Sequence, residues 1–105
     1  MGHAISAISY LVFCVFDLKN AAREDYLYAY MDFADLGLRK TVKSETGPSF
    51  QLPAGAVMGT FDGRNIDDVR STVSRKVQSV FKSRDLKGTF FLVASTDWAC
   101  AGEST

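Results

Sequence analysis

The sequence predicts a single α+β domain in which two helices cover one face of a four-stranded antiparallel sheet. Three observations lead to this fold class. The chain has 105 residues, a length typical of one domain. Its apolar fraction of 47% and charged fraction of 23% suit a globular protein with one core. Strand-like and helix-like segments follow one another in the order β-α-β-β-α-β, with an ordered core expected from about residue 8 to residue 98.

The first strand is predicted from Tyr10 to Phe16, in the segment YLVFCVF. Aromatic and β-branched residues dominate this segment, and it is too short for a helix. Its apolar run has no polar break and ends on one carboxylate, Asp17. A strand with apolar residues on both sides is expected to be covered on both faces of the sheet.

The first helix is predicted to begin at Asn20, a good N-cap residue, and to end near Leu36. Gly37 is expected to be a left-handed C-cap, with Leu38 folding back over the last turn. The spacing predicts that the inward side of this helix is formed by Leu27, Met31, Ala34 and Leu38, widened by Tyr30 and Phe33.

The second strand is predicted from Arg39 to Thr46, where the sequence is polar, Thr-rich and basic, as is typical of an edge strand. Residues 47–55 hold both prolines and are predicted to form a loop. A short third strand is expected from Ala56 to Phe61.

The second helix is predicted to be capped by Asn65 and to end near the segment RDLKG. A fourth strand is predicted from Thr89 to Ala94, followed by a polar tail. The inward side of this helix is expected to consist of Ile66, Val69, Val73, Val77, Val80 and Phe81. The order of elements in a chain of this size predicts a ferredoxin-like sandwich, in which the first and third strands are central and the second is an edge.

The face of the sheet opposite the helices is expected to be apolar. Leu11, Phe13 and Val15 of the first strand lie on the same side as Asp17, and the fourth strand repeats the pattern with Phe91 and Val93. Such a patch exceeds what a monomer normally exposes. We expect a homodimer related by a two-fold axis to cover it, with Trp98 of the tail packing against the partner. The alternative is that the loop at 47–55 or the tail folds over the same face.

Composition narrows the possible functions. Twelve basic and twelve acidic residues give a net charge of zero, whereas dedicated nucleic-acid-binding proteins carry a marked basic excess. Two cysteines and one histidine provide neither a zinc site nor a disulfide framework. No apolar stretch reaches the ~20 residues that span a bilayer. We therefore expect a cytoplasmic protein with no membrane association.

Asp17 is the main candidate for a chemical role. It is predicted at the C-terminal end of a central strand, on the same side as Leu11, Phe13 and Val15, and the sequence leaves open whether this side is the open face. A two-fold axis through this face would bring two Asp17 carboxylates together, and paired carboxylates suit Mg²⁺ or Mn²⁺. The alternative is that Asp17 caps the turn into the first helix, which is a common role for aspartate at such a junction.

The strand YLVFCVFDL, its terminal aspartate and the β-α-β-β-α-β order resemble the small CRISPR-associated adaptation endonuclease, the second Cas protein. The chain also resembles the GhoS antitoxin and VapD-like proteins. The resemblance implies a ferredoxin-like homodimer that cleaves RNA or DNA with a divalent metal. It further implies that Asp17 binds the metal and that Arg23 is the basic residue early in the first helix.

Two hypotheses of function follow from the sequence. In the first, the protein is a small dimeric nuclease that uses Asp17 and Arg23, and Arg39, Lys40 and Lys43 contact the phosphates of single-stranded RNA or DNA. In the second, it is a non-catalytic dimeric interaction module, such as a phage or mobile-element accessory protein, that binds a protein partner. Surface lysines and arginines also serve solubility alone, which fits the second hypothesis.

Overall fold

The computed structural model describes residues 8–43, 48–99 and 101–102. These residues form a mixed α+β domain with two helices, a three-stranded antiparallel sheet and a two-stranded antiparallel sheet. His3, Cys100 and the part of the predicted second strand from Ser44 to Thr46 lie outside the described residues. The elements are β1 (Ile8–Leu18), α1 (Arg23–Leu36), β2 (Thr41–Lys43), β3 (Ser49–Gln51), β4 (Ala56–Gly63), α2 (Ile66–Ser83) and β5 (Gly88–Ser95).

The main sheet has the order β4-β1-β5, with the long strand β1 in the centre. Both neighbours of β1 are antiparallel to it, so that Phe13 lies opposite Met58 on one side and Val93 on the other. Strand β1 is longer than predicted and continues through Asp17, which pairs with Thr89. The prediction of a central first strand is therefore confirmed within this three-stranded sheet.

The prediction of a single four-stranded sheet differs from the structure in the second strand. Strand β2 pairs with β3, a strand inside the segment that we expected to be a loop, and these two form their own sheet. Val42 lies opposite Phe50 in this pair of strands, which we call the β2-β3 hairpin, and their apolar side chains stabilise the pairing. One bridge connects this region to the main sheet, because the backbone groups of Arg39 and Met58 exchange two hydrogen bonds of 2.9 Å.

The end of α1 follows the prediction, but its beginning does not. Gly37 has a φ of 101° and Leu38 is fully buried, with its amide donating to the Phe33 carbonyl at 2.8 Å. This is the expected left-handed C-cap. The helix begins later than predicted, because Asn20 adopts a turn conformation with a φ of 52°. The N-cap is instead Ala22, whose amide donates to the carboxylate of Asp25.

The periodicity predicted the inward side of α1 only in part. Phe33 lies in the core and Tyr30 packs against it, as predicted. The buried residues are Ala29 and Phe33, whereas Leu27 and Met31 face solvent. Helix α1 carries apolar and aromatic residues on nearly every side, so its pattern alone does not select a face. The side that packs inward is selected by aromatic contacts to Phe16 of β1, which meets the Phe33 ring with a centroid distance of 4.9 Å.

Helix α2 agrees with its prediction. The Asn65 side chain accepts a hydrogen bond of 2.8 Å from the amide of Asp68, as an N-cap should. Four valines and Phe81 are buried on one side of the helix, although Ile66 in its first turn is exposed. The core lies between the two helices and the inner side of the main sheet; its fully buried side chains are Val12, Cys14, Phe33, Leu38, Val57, Val73 and Val77.

Candidate functional site

The candidate site lies on the open face of the main sheet, on the side away from the helices. Side chains alternate along β1 as predicted, so that Val12 and Cys14 are buried under the helices and Val15 and Asp17 are exposed. The same alternation in β5 leaves Phe91 exposed on the open face. The predicted division of β1 and β5 into two sets of alternating side chains is therefore confirmed, and the structure places Asp17 on the open face.

The protein covers part of its own open face. The tail after β5 brings Trp98 to a depression of about 430 Å³ that Leu11, Met58 and Arg39 also line. Met58 has only 8% of its surface exposed although it lies on the open face, because the β2-β3 hairpin and the tail surround it. The sequence left open whether a second copy or the chain's own loop and tail cover the open face. At this end of the face, the chain itself does so.

The other end of the open face remains uncovered. Phe91 is 67% exposed, Val93 50% and Val15 37%. Val15 lies opposite Phe91 in the register between β1 and β5, so these residues form one continuous patch. We call Val15, Phe91 and Val93 the apolar strip. The predicted interface residues Leu11, Phe13 and Trp98 lie beside it, with Leu11 and Phe13 half-buried and Trp98 largely exposed.

Asp17 lies at the end of the apolar strip. It borders a shallow depression with Val15, Thr89 and Phe91, and its side chain is exposed. The Tyr26 hydroxyl of α1 donates a hydrogen bond of 3.1 Å to its Oδ1. The same hydroxyl accepts from the Leu18 amide at 2.9 Å, so it ties the end of β1 to the helix. The carboxylate of Asp17 is thus held by a helix side chain, and one of its oxygens points away from that contact.

Arg23 of α1 and Asp17 border the same depression. It has a volume of about 320 Å³ and is also lined by Tyr26, Tyr30 and Gly55. Gly55 forms the floor, with a φ of 82° and an amide that donates to the Tyr30 hydroxyl at 2.7 Å. Only glycine suits this position, because an added Cβ would lie 2.6 Å from the Phe16 carbonyl oxygen. A guanidinium, a carboxylate and two phenols therefore share one small concavity.

A metal site within one chain would need more ligands than Asp17. No group of three or more histidine, cysteine, aspartate or glutamate side chains that could hold a metal occurs among residues 8–43, 48–99 and 101–102. A single exposed carboxylate provides at most two oxygens, and Mg²⁺ needs six ligands with near-octahedral geometry. A second carboxylate from another copy, together with solvent, would have to complete such a site.

The three predicted phosphate-contacting residues do not share one surface. Arg39 and Lys43 line the depression on the open face that also contains Trp98. The Lys40 ammonium lies 4.9 Å from the centre of the Tyr30 ring, in a cation–π contact on the helix side. The structure therefore brings Arg39 and Lys43 together and separates Lys40 from them.

Cys14 provides no reactive group at the site. Its side chain is fully buried in the core, and burial raises the pKa of its thiol to about 11. A thiol with this pKa stays protonated near neutral pH and is a poor nucleophile and a poor metal ligand. Cys14 is a small buried hydrophobic residue of the core.

Sequence reasoning missed two parts of the site. Tyr26 was not assigned a role, although its hydroxyl fixes the end of β1. The β2-β3 hairpin was missed because each strand has only three residues, too few for an alternation pattern to show. The signal that could have indicated it is the apolar pair Val42 and Phe50, each flanked by polar residues.

Comparison of the chain with protein-family models, with curated proteins and with solved structures gave no significant match. Neither helix in the described part of the chain combines the length and apolar character that a bilayer span requires.

Proposed function

We propose that this protein is a homodimeric interaction module whose subunits associate through the uncovered end of the open sheet face. The observation that carries the proposal is the apolar strip, in which Val15, Phe91 and Val93 expose from 37% to 67% of their surfaces side by side. A continuous exposed apolar patch of this kind marks an interaction surface.

A second copy is the occupant that the composition of the strip favours. In a two-fold interface the same patch forms both sides, so a charge near its centre would meet its own copy. The strip contains no charged residue, and Asp17 stands at its rim. The hairpin and the tail cover the adjacent region, which limits the contact to β1 and β5 and leaves the helices free for other partners.

We also propose that the architecture of the domain is ferredoxin-like. The isolated Arg39–Met58 bridge supports this, because a strand continued from it would add β2 beside β4 and give the order β2-β4-β1-β5. That order corresponds to the predicted arrangement with β2 at the edge, in a shortened form. In it, β5 is the opposite edge, and its Phe91 and Val93 carry most of the strip.

Sedimentation equilibrium of the wild-type protein tests the proposal. We expect a concentration-dependent mass that reaches twice that of the monomer. A monomeric mass at all concentrations would refute the proposed dimer. In that case the strip would have another occupant, and the interaction-module function would lose its main support.

A second candidate function is divalent-metal-dependent cleavage of single-stranded RNA or DNA. The observation that favours it is the position of Asp17 at the rim of the strip, beside Arg23. A two-fold axis that passes the end of the strip at Asp17 would bring the two Asp17 carboxylates of a dimer together. When bound, Mg²⁺ or Mn²⁺ would supply an activated water molecule and charge stabilisation. Arg23 would then bind a phosphate oxygen, and Arg39 and Lys43 would contact the strand further along.

The cleavage hypothesis is tested with Mn²⁺ and a labelled single-stranded RNA. We expect the wild type to cleave and the Asp17→Asn variant to be inactive. The matched control is Asp62→Asn, because Asp62 is also an exposed strand aspartate, on β4. Equal activity of the wild type and Asp17→Asn, or absence of cleavage by a confirmed dimer, would refute this function and leave the interaction module standing.

A further inference from the structure

Helix α1 exposes a second apolar surface, on the opposite layer of the domain from the strip. Leu27 and Tyr28 are each 46% exposed and Met31 is 60% exposed. Glu24 and Asp35 lie along the same side, at helical spacing from Met31. We call these five residues the α1 outer face. Its large side chains face solvent because Ala29 and Phe33 fill the inward side of the helix.

Tyr28 is held in place before any partner binds. The Arg84 guanidinium lies 4.9 Å from the centre of its ring. Arg84 is itself fixed by two hydrogen bonds to the carboxylate of Asp32, at 2.7 and 3.0 Å. An aromatic side chain that is already ordered loses little conformational entropy on binding, which favours its use as an anchor.

Only some of the carboxylates of α1 have a partner within the domain. It carries four acids and one base. Asp25 caps the helix N-terminus, and Asp32 pairs with Arg84. Glu24 and Asp35 are exposed, and neither forms an ion pair with the residues described here. Two carboxylates therefore stand at opposite ends of an apolar patch, where they can meet cations of a partner.

This charge pattern argues against a second copy as the occupant. A two-fold pairing of α1 with itself would place Glu24 of one subunit near Asp35 of the other, and like charges in contact are unfavourable. Helix α2 of another copy is basic, but its exposed side is polar, with Arg75, Lys76 and Gln78, and has no apolar stripe to cover Met31. The complement of this surface is apolar in the middle and basic at both ends.

The geometry points to the α1 outer face as the binding site for an amphipathic helix of a partner protein, with an apolar stripe flanked by lysine or arginine. From Glu24 to Asp35 the face is roughly 16 Å long at about 1.5 Å per residue, which matches three turns of a partner helix. This inference names the partner class for the proposed interaction module. It uses a different layer of the domain from the dimer contact, so the two can fail separately.

The probe is a synthetic, fluorescently labelled peptide helix with a leucine stripe flanked by lysines. A peptide with the same composition in scrambled order, and one with glutamate in place of lysine, serve as controls. We expect saturable binding of the first peptide, at least about tenfold weaker binding of each control, and weaker binding at high salt. Amide chemical shifts should move along residues 24–35.

Two variants test the surface directly. The double change Leu27→Gln and Met31→Gln should weaken peptide binding at least about tenfold, since it removes the apolar middle. Glu24→Gln with Asp35→Asn should weaken binding and reduce its salt dependence. The control Ile66→Gln, at an exposed apolar residue of α2, should leave binding unchanged.

Equal binding of the scrambled peptide, unchanged affinity of the α1 variants, or shift changes confined to the open sheet face would overturn the inference. Light scattering measures the molar mass of the same variants in solution. We expect the α1 changes to leave the dimer intact. A monomeric wild type that still binds the peptide would count against the proposed dimer alone. Loss of peptide binding in an intact Ile66→Gln dimer would count against the α1 site alone.

Discussion

Replacing Phe91 with glutamate is expected to convert the dimer to a monomer. Phe91 is the most exposed residue of the apolar strip, with 67% of its surface accessible. It lies on the edge strand β5, opposite Val15 of β1, and its ring points away from the core. The change therefore removes apolar contact area from the proposed interface without removing any from the core.

The size of the effect follows from the exposed area. A phenylalanine side chain carries about 200 Å², so Phe91, at 67% exposure, offers roughly 130 Å² to a partner. At about 25 cal/mol per Å² this area contributes about 3 kcal/mol in each subunit, or about 6 kcal/mol in a symmetric dimer. Since about 1.4 kcal/mol is a tenfold change, the dimer should weaken by up to about 10⁴-fold. Two glutamates brought near one axis add repulsion.

Sedimentation equilibrium of the wild type and Phe91→Glu, at protein concentrations from about 1 µM to about 1 mM, measures this loss of dimer affinity. The matched control is Ile66→Glu, since Ile66 is 42% exposed on α2 and lies in the helix layer. We expect Ile66→Glu to remain dimeric and Phe91→Glu to be a folded monomer. A dimer that survives the Phe91 substitution with its affinity intact would refute the proposed interface.

Three further predictions concern the fold and its titrating groups. The change Gly55→Ala should lower the free energy of unfolding by at least about 2 kcal/mol in urea titrations, because Gly55 has a φ of 82° and an added Cβ would lie 2.6 Å from a strand carbonyl oxygen; wild-type stability would contradict this. In a Cys100→Ser background, Cys14 should react with a thiol reagent only on unfolding, and fast labelling of the folded protein would disprove this. The free energy of unfolding should decline as pH rises from about 9 to about 11, because the folded protein keeps a proton that the unfolded chain, with a thiol pKa of 9.0, releases. The hydrogen bonds from Arg84 lower the pKa of Asp32 from 3.8, so the stability that this pair contributes is lost as pH falls below that value. Arg84→Gln should bring the carboxyl pKa back toward 3.8 in an NMR titration, and an unchanged titration would show that the pair does not form.

The sequence predicted those parts of the fold that depend on local chemistry. The period of two divided the residues of β1 and β5 into the two sets that the structure places on opposite faces of the sheet. Gly37 and Asn65 were correctly predicted as caps, since each satisfies specific backbone groups of its helix. The regular valine spacing of α2 identified its buried side in the same way.

Other parts depend on packing between distant segments, which a single sequence does not specify. The inward side of α1 was predicted only in part, with Leu27 and Met31 placed wrongly, because apolar residues surround the helix and contacts with Phe16 decide which side packs inward. Asn20 was not the N-cap, because the chain needs a turn with positive φ to leave β1. The hairpin and the position of Trp98 depend on how segments far apart in sequence meet over Met58.

The most direct test of the proposed interface is an isotope-filtered NMR experiment on a dimer of labelled and unlabelled subunits. It detects contacts between subunits alone. We predict cross-subunit contacts from the Phe91 ring to the methyl groups of Val15 and Val93, which together form the apolar strip. Absence of any contact between subunits, or contacts found only on helices α1 and α2, would contradict the proposal that the open sheet face joins two copies of this chain.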